Sequence, residues 1–323
     1  ATPERAAAAL KGLRAYQTAT RAPALDTMPV VARAGRATVR DYGGHGPRIL
    51  FVPSLINPPD VLDLDHDRSL LRWLATQGVR PLLLDWGHPT DDERDLSVAG
   101  HVEAMLLPLL DAIGGPVTLA GYCLGGTMAL AAAARRPVSG LALIATPWRF
   151  GCYSAGMRAS LRELWDHAHP ACAAIGMMPM EVLQAAFWRA DPARTVDKYA
   201  QFGTLDPADP AARTFVRLED WANDGPPLTY GAARELFEGM FADDRPGQGL
   251  WRVAGAEIDA AALPIPTIEI TSTRDRIVPE ATTPGIGEQR NLALGHVGMV
   301  IGGKAREALW EPLAAWLSRM PAS

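Results

Sequence analysis

Three cysteines in 323 residues (Cys123, Cys152 and Cys172) are too few and too irregularly spaced for a disulfide framework. The odd count leaves at least one free thiol and fits a reducing compartment, so the cytoplasm is the expected location. No apolar run approaches the roughly 18 residues that a membrane span requires. The stretch Ala-Thr-Pro-Glu-Arg at the start puts charges where a signal peptide needs an apolar core, and no leader is expected. Basic runs and basic–aromatic tracts are also missing. With 31 basic against 36 acidic residues the net charge is −5, and nucleic-acid binding is not expected. Apolar residues, by contrast, are plentiful. Hydrophobic residues make up 48% and charged ones 21%, the balance of a globular chain with a large core. At this length one large α/β domain fits, or one carrying an insertion.

Read in order, the chain alternates strands and helices. Residues 2–20 predict a helix, with Thr2 and Pro3 suited to its cap and first turn. Met28 to Tyr42 alternates about Ala34-Gly35 and predicts an antiparallel pair. Arg48 to Pro53 is an apolar strand, Ser54 to Pro59 a loop, and Ser69 to Gly78 a helix. Val79 to Asp85 is the next strand. Ser97 to Ile113 is a helix capped by Ser97 and stopped by Gly114-Gly115. Gly140 to Ala145 continues the series. This pattern predicts a mostly parallel central sheet with helices on both faces. From about Phe150 the pattern changes. Residues 151–245 hold amphipathic helical segments, many aromatics and no good strand. Core strands then resume at Pro264 to Thr271 and Glu288 to Leu294, and Lys304 to Arg319 closes the chain as a helix. The expected division is a core of residues 1–150 and 246–323 with a helical cap inserted at 151–245.

The stretch around Cys123 carries the chemistry. Val117 to Ala120 suits a buried strand, Gly121-Tyr122-Cys123-Leu124-Gly125-Gly126 a sharp turn, and Thr127 to Arg135 a helix. Strand, turn and helix around G-x-C-x-G form the nucleophile elbow of the α/β-hydrolase fold, here with Cys in place of Ser. The turn forces the nucleophile into a strained backbone conformation, and Gly121 and Gly125 let strand and helix approach. Cys123 then sits at a helix N-terminus, which favours a thiolate. The N–H of Leu124 is free to hold an oxyanion.

The fold places nucleophile, acid and histidine in that chain order. Asp275 follows a later strand and His296 the last one, with Glu280 a weaker rival for the acid. His296 is expected to act as base on Cys123, and Asp275 to orient the imidazole. The second oxyanion donor is expected from the loop after the Arg48 strand, at the N–H of Leu55 or Ile56. Asn57 either braces this loop or touches substrate. Asp85, at a neighbouring strand end, reads as structural. His167-Ala-His169 lacks a third ligand, so no metal is expected. His45, His66, His88 and His101 read as surface or loop residues. The Met-rich run at 177–180 reads as core, or as the lining of an apolar substrate channel.

These stretches together resemble the polyhydroxyalkanoate synthase family, in particular its shorter, class III-like members. The resemblance rests on Phe51-Val-Pro-Ser-Leu-Ile-Asn57 with Val61-Leu-Asp-Leu64, on Leu82-Leu-Leu-Asp-Trp-Gly87, and on the Cys-containing box at 121–126. Asp275-Arg-Ile-Val-Pro279, Gly295-His-Val-Gly298, Asp197-Lys-Tyr199 and Asp220-Trp221 extend it. It departs at Trp148-Arg149-Phe150, where relatives often carry an acidic residue. The resemblance implies an enzyme that takes 3-hydroxyacyl-CoA, carries the acyl chain on Cys123 as a thioester, extends a polyester and releases CoA. It implies no cofactor beyond the CoA of the substrate. The large N-terminal region of longer synthases has no counterpart in these residues. The likeness to short synthases, which generally need a partner subunit, implies a partner subunit and/or a homodimer, acting in the cytoplasm or at a polyester granule surface. The alternative for the same three residues is a thioesterase, or a hydrolase of polyester or its oligomers.

Overall fold

The computed structural model describes residues 2–190 and 192–321. Among them β1 (Val30–Ala34) and β2 (Ala37–Asp41) form a hairpin, followed by β3 (Arg48–Val52), β4 (Arg80–Asp85), β5 (Thr118–Tyr122) and β6 (Gly140–Ile144). β7 (Met177–Met178), β8 (Leu228–Thr229), β9 (Arg252–Val253) and β10 (Ala256–Glu257) are two-residue strands. β11 (Thr267–Ser272) and β12 (Glu288–Leu292) come last. Eight of these strands make one sheet, in the order β1-β2-β4-β3-β5-β6-β11-β12. From β4 to β12 every pairing is parallel, and β2 joins β4 antiparallel. This is the α/β-hydrolase architecture.

The sheet is buried on both faces, which is why its central strands read as unbroken apolar runs rather than as an alternation. Successive residues still point to opposite sides. Leu50, Val52, Leu119, Leu141 and Leu143 pack on one face with the helix Leu124–Ala133 and the helix over residues 98–113. Ile49, Phe51, Ala120, Tyr122 and Ile144 pack on the other face with Leu70, Leu74, Trp310 and Leu313.

Two of the expected helices are not uniformly α-helical. Residues 98–113 run continuously, but Val102–Leu106 is π-wound; residues 306–317 do the same over Arg306–Trp310. Each wide turn ends just before a proline, Pro108 or Pro312. Proline has no N–H and its ring collides with the carbonyl four residues back. Widening the preceding turn relieves the collision without breaking the helix.

The N-terminal helix is Pro3–Thr18, capped by Thr2, whose Oγ1 accepts the N–H of Arg5 at 3.3 Å. It packs along the helix Pro192–Phe202, crossing it where Gly12 meets the carbonyl of Tyr199. Within residues 151–245 helices dominate, as expected. One short strand pair was not foreseen: β7 and β8 bond antiparallel, pairing Met177 with Thr229 and Met178 with Leu228 inside this segment. Met178 and Met180 are buried in the core, in line with the core reading of that run. The C-terminal end of the helix Pro210–Asn223 lies on the loop after β3: Trp221 Nε1 donates to the Pro58 carbonyl at 2.8 Å. The end of this helix therefore sits over the loop at the carboxyl end of β3. No described helix is long and apolar enough to cross a membrane.

Candidate active site

Cys123 caps the helix Leu124–Ala133 with φ 56° and ψ −132°, a conformation that costs a non-glycine residue about 1–3 kcal/mol. Two hydrogen bonds hold it there. Its N–H donates to Ile144 O at 2.9 Å, and its carbonyl accepts from Gly126 N–H at 2.8 Å. The glycines beside it are obligatory. A Cβ on Gly125 would lie 2.1 Å from Val52 O, and one on Gly121 would lie 2.2 Å from the Gly126 Cα. The thiol is half-buried, and the N–H of Leu124 has no acceptor among the described residues. The positive end of the helix therefore faces Cys123.

Asp275 and His296 come to the same edge on the loops after β11 and β12. Oδ2 of Asp275 lies 2.6 Å from Nδ1 of His296. A carboxylate only accepts, so Nδ1 carries the proton and Nε2 is left for Cys123. The Asp275 carboxylate is itself fixed: its other oxygen accepts the N–H groups of Ile277 at 2.8 Å and Val278 at 2.9 Å. Both side chains are buried, and Cys123 lies close enough to act electrostatically on His296. Burial opposes a charged imidazole here. The electrostatic influence of Cys123, then the hydrogen bond that Nδ1–H donates to Asp275, outweigh it and push the His296 pKa up to about 10. The array suits a thiolate–imidazolium pair.

The loop after β3 is held from three sides. Trp86 Nε1 donates to Pro53 O at 3.0 Å, and Trp221 holds Pro58 from above. Asn57, at φ 66°, points its Nδ2 at the carbonyls of Trp221, Ala222 and Asp224, each 3.3 Å away. Asn57 thus braces the loop. Of the two expected donors, Ile56 is already engaged, its N–H donating to Ser54 Oγ at 3.0 Å. Leu55 N–H has no partner among the described residues.

The remaining residues fall outside this cluster. Asp85 pairs with Arg40 at 2.7 Å and accepts the N–H of Gly87, a structural role. Glu280 is exposed and accepts from Asn291 Nδ2 at 2.6 Å, whereas the carboxylate that meets His296 is that of Asp275. His169 meets the Tyr230 hydroxyl at 2.9 Å, and no group of three potential metal ligands assembles among the described residues. His45, His66 and His88 are exposed as expected, but His101 is not a surface residue. It is 2% exposed, Nδ1 lies 2.7 Å from Ser97 O, and Nε2 lies 2.7 Å from Arg36 Nη2. The helix buries it, and Arg36 reaches it from the β1–β2 turn.

Two tyrosines near Cys123 escaped the sequence reading. Tyr122 lies flat against His296, with ring centroids 5.0 Å apart. Tyr153 is buried close enough to Cys123 that burial, then the charge there, raises its hydroxyl pKa. Only the position of Tyr122 beside the cysteine could have signalled its role. Tyr153 packs on Phe241 with centroids 5.1 Å apart, and Phe241 lines a cavity of about 350 Å³ together with Arg158, Trp165, His169 and Phe237.

Known proteins agree with this architecture. The chain is 27% identical over 286 residues to the PhaC subunit of the poly(3-hydroxyalkanoate) polymerase of Haloferax mediterranei, covering 84% of this chain and 58% of that protein. It is 26% identical to the PhaC subunit of Allochromatium vinosum, covering 84% of this chain and 80% of that one. It spans 58% and 65% of the length of its relatives from Haloferax mediterranei and Haloarcula marismortui. Among solved structures, an α/β-hydrolase fold protein from Nakamurella multipartita matches with TM-score 0.50 and 20% identity, over 90% of this chain and 99% of that one. A bromoperoxidase from Bacillus anthracis matches with TM-score 0.52 and 14% identity, over 88% of this chain and 99% of that one. Both share the fold. Residues 49–300 match the alpha/beta hydrolase family profile, and the chain belongs to that family, within which its likeness to polyhydroxyalkanoate synthases runs through most of its length.

Proposed function

We propose that the chain is a polyhydroxyalkanoate synthase that transfers 3-hydroxyacyl groups from CoA to a growing polyester through Cys123, His296 and Asp275. The observation that carries this reading is the array at the sheet edge: Asp275 against His296 at 2.6 Å, with His296 under the electrostatic influence of a cysteine at a helix N-terminus. The curated PhaC relatives supply the substrate class.

In the first step the Cys123 thiolate attacks the thioester carbonyl of 3-hydroxyacyl-CoA. The carbonyl oxygen takes the negative charge, facing the N–H of Leu124 and, on this reading, of Leu55. The C–S bond to CoA breaks, and the imidazolium of His296 protonates the departing thiolate. In the second step a 3-hydroxyl group attacks the acyl-Cys123 thioester and gives its proton to His296. An ester bond forms and Cys123 leaves as thiolate. Exchange between two thioesters is nearly balanced in energy, so the acyl-enzyme persists until an alcohol arrives. The helical segment over the sheet edge, which we read as a cap, would favour that alcohol by excluding water. No cofactor is needed beyond the CoA of the substrate. A partner subunit or second copy, and action at a granule surface in the cytoplasm, complete the proposal.

The test is to incubate purified protein with 3-hydroxybutyryl-CoA, follow CoA release, and analyse protein and products by mass spectrometry. Ester oligomers with a hydroxyacyl adduct on Cys123 are expected. CoA release yielding only monomeric 3-hydroxybutyrate would replace the synthase with a thioesterase.

A further inference from the structure

Tyr122 ends β5 and immediately precedes Cys123. It is 3% exposed and meets His296 at two points. Its ring stacks on the imidazole with centroids 5.0 Å apart and planes inclined by 26°. Its hydroxyl donates to the main-chain carbonyl of His296 at 3.3 Å.

We propose that Tyr122 is a positioning residue for His296, its electron-rich ring face holding the imidazolium in its tilt toward Cys123. This rests on the reading of Cys123, His296 and Asp275 as the reacting set. The hydrogen bond to Asp275 fixes His296 at a single atom, Nδ1. A ring held at one atom still pivots about that bond, and Nε2 sweeps an arc. A flat, buried neighbour on one face removes that freedom. The hydroxyl bond to the His296 carbonyl does the same for the backbone beneath the ring. Tyr122 is also joined covalently to the nucleophile on a strand buried throughout, so base and nucleophile share one rigid reference. The electrostatics agree. The face of an aromatic ring is negative and attracts a desolvated cation, an effect on the order of ten- to thirtyfold in an equilibrium constant. The other groups acting on the His296 charge are Cys123 and Asp275. Burial, then the charges of Cys123 and Asp275, keep the Tyr122 hydroxyl un-ionised. The ring is therefore a neutral π surface beside an imidazolium.

If Tyr122 only filled space, an aliphatic residue of similar reach would leave the protonation of His296 where it was. The experiment is an NMR titration of ¹⁵N-histidine-labelled protein, following His296 in wild type, Tyr122→Phe, Tyr122→Leu and a protein with pentafluorophenylalanine at position 122. Tyr122→Phe keeps the face and should leave the midpoint within a few tenths of a pH unit. Tyr122→Leu should lower it by about one unit. The fluorinated ring keeps the shape and reverses the face, so it should also lower it, and it decides the matter should Tyr122→Leu not fold. An unchanged midpoint with the fluorinated ring, or a shift in Tyr122→Phe as large as in Tyr122→Leu, overturns the proposal. No substrate is present, so a chain that makes no polyester still answers the question.

Discussion

Asp275 gives His296 only one of its two oxygens. Oδ2 meets Nδ1 at 2.6 Å, while Oδ1 is spent on the N–H groups of Ile277 and Val278. This division predicts the effect of Asp275→Asn. The amide oxygen must stay with the two N–H donors, so the amide NH₂ faces Nδ1. Nδ1 then has to accept, the proton moves to Nε2, and His296 can no longer take a proton from Cys123. The rate of Cys123 acylation should fall by about 10²–10⁴, as when an orienting carboxylate is replaced by its amide elsewhere. Mass-spectrometric acylation kinetics measure the loss, and an unchanged thermal melt shows that the fold survives. A rate within threefold of wild type would remove Asp275 from the proposed mechanism.

Replacing the nucleophile tests the same pair from the other side. Burial alone would lower the pKa of His296, and the charge at Cys123 is the largest influence raising it. Cys123→Ala removes that charge. The His296 midpoint should therefore fall from about 10 toward the ordinary imidazole value, with only Asp275 still supporting the cation. A histidine-selective NMR titration reads this directly. A midpoint that stays near 10 would mean that Cys123 and His296 do not form an ion pair.

His101 titrates in the opposite direction. Burial, assisted by the charge of Arg36, pushes its pKa down to about 4, so the folded protein keeps it neutral. Arg36 can only donate, so Nε2 accepts and Nδ1–H bonds to Ser97 O. A histidine lowered in the folded state stabilises the fold fully above the unfolded value near 6.5 and loses that contribution as pH falls toward 4. The loss is at most about 3 kcal/mol. Urea unfolding of wild type should weaken between pH 7 and pH 4.5 more than that of His101→Asn, which keeps a donor for Ser97 and does not titrate. Parallel curves would contradict the buried neutral imidazole.

These residues show what the sequence exposes and what it hides. Cys123 and Asp275 were legible because each follows a strand buried throughout, His296 because it follows the last strand, and the fold dictates their order along the chain. The elbow was legible from two glycines that tolerate no Cβ. His101 was not, because its burial depends on Arg36 arriving from a hairpin 65 residues away. Local pattern shows a polar residue in a first helical turn and nothing more. Asn57 was left between two roles for the same reason, since the carbonyls it reaches lie more than 160 residues onward. The occupation of Ile56 by Ser54 was close in sequence, yet it turned on a rotamer that residue types do not fix. The π-wound turns at Val102–Leu106 and Arg306–Trp310 could have been read from Pro108 and Pro312, each inside an otherwise helical pattern.

The N-terminal helix gives a stability prediction. A Cβ at Gly12 would lie 1.7 Å from the Tyr199 carbonyl oxygen, so the two helices cross with no room for a side chain. Tyr16 and Arg21 then reach past this crossing to the Asp220 carboxylate. Gly12→Val has to push the helices apart, at a cost of about 1–3 kcal/mol. Residues 3–27 should become several-fold more susceptible to limited proteolysis while the core melts at nearly its former temperature. Ala7→Val, on the exposed side of the same helix, is the control and should cut no faster than wild type.

Asn57 links that N-terminal contact to the chemistry. Asp220 is held by Tyr16 and Arg21, the next residue Trp221 holds Pro58, and Asn57 donates to the same helix end. Leu55, the proposed oxyanion donor, is two residues before Asn57. Asn57→Gly keeps the backbone at φ 66° without strain and removes only the side-chain brace. Two reactions of Cys123 separate the consequences. Acyl transfer builds negative charge on an oxygen and needs the oxyanion donors in place. Alkylation by iodoacetamide displaces iodide, builds no oxyanion, and needs only the thiolate. Acylation in Asn57→Gly should therefore fall by about ten- to a hundredfold, short of the loss from deleting an oxyanion donor outright, while alkylation stays within about twofold. An equal loss in both would place the effect of Asn57 on the thiolate rather than on the oxyanion loop.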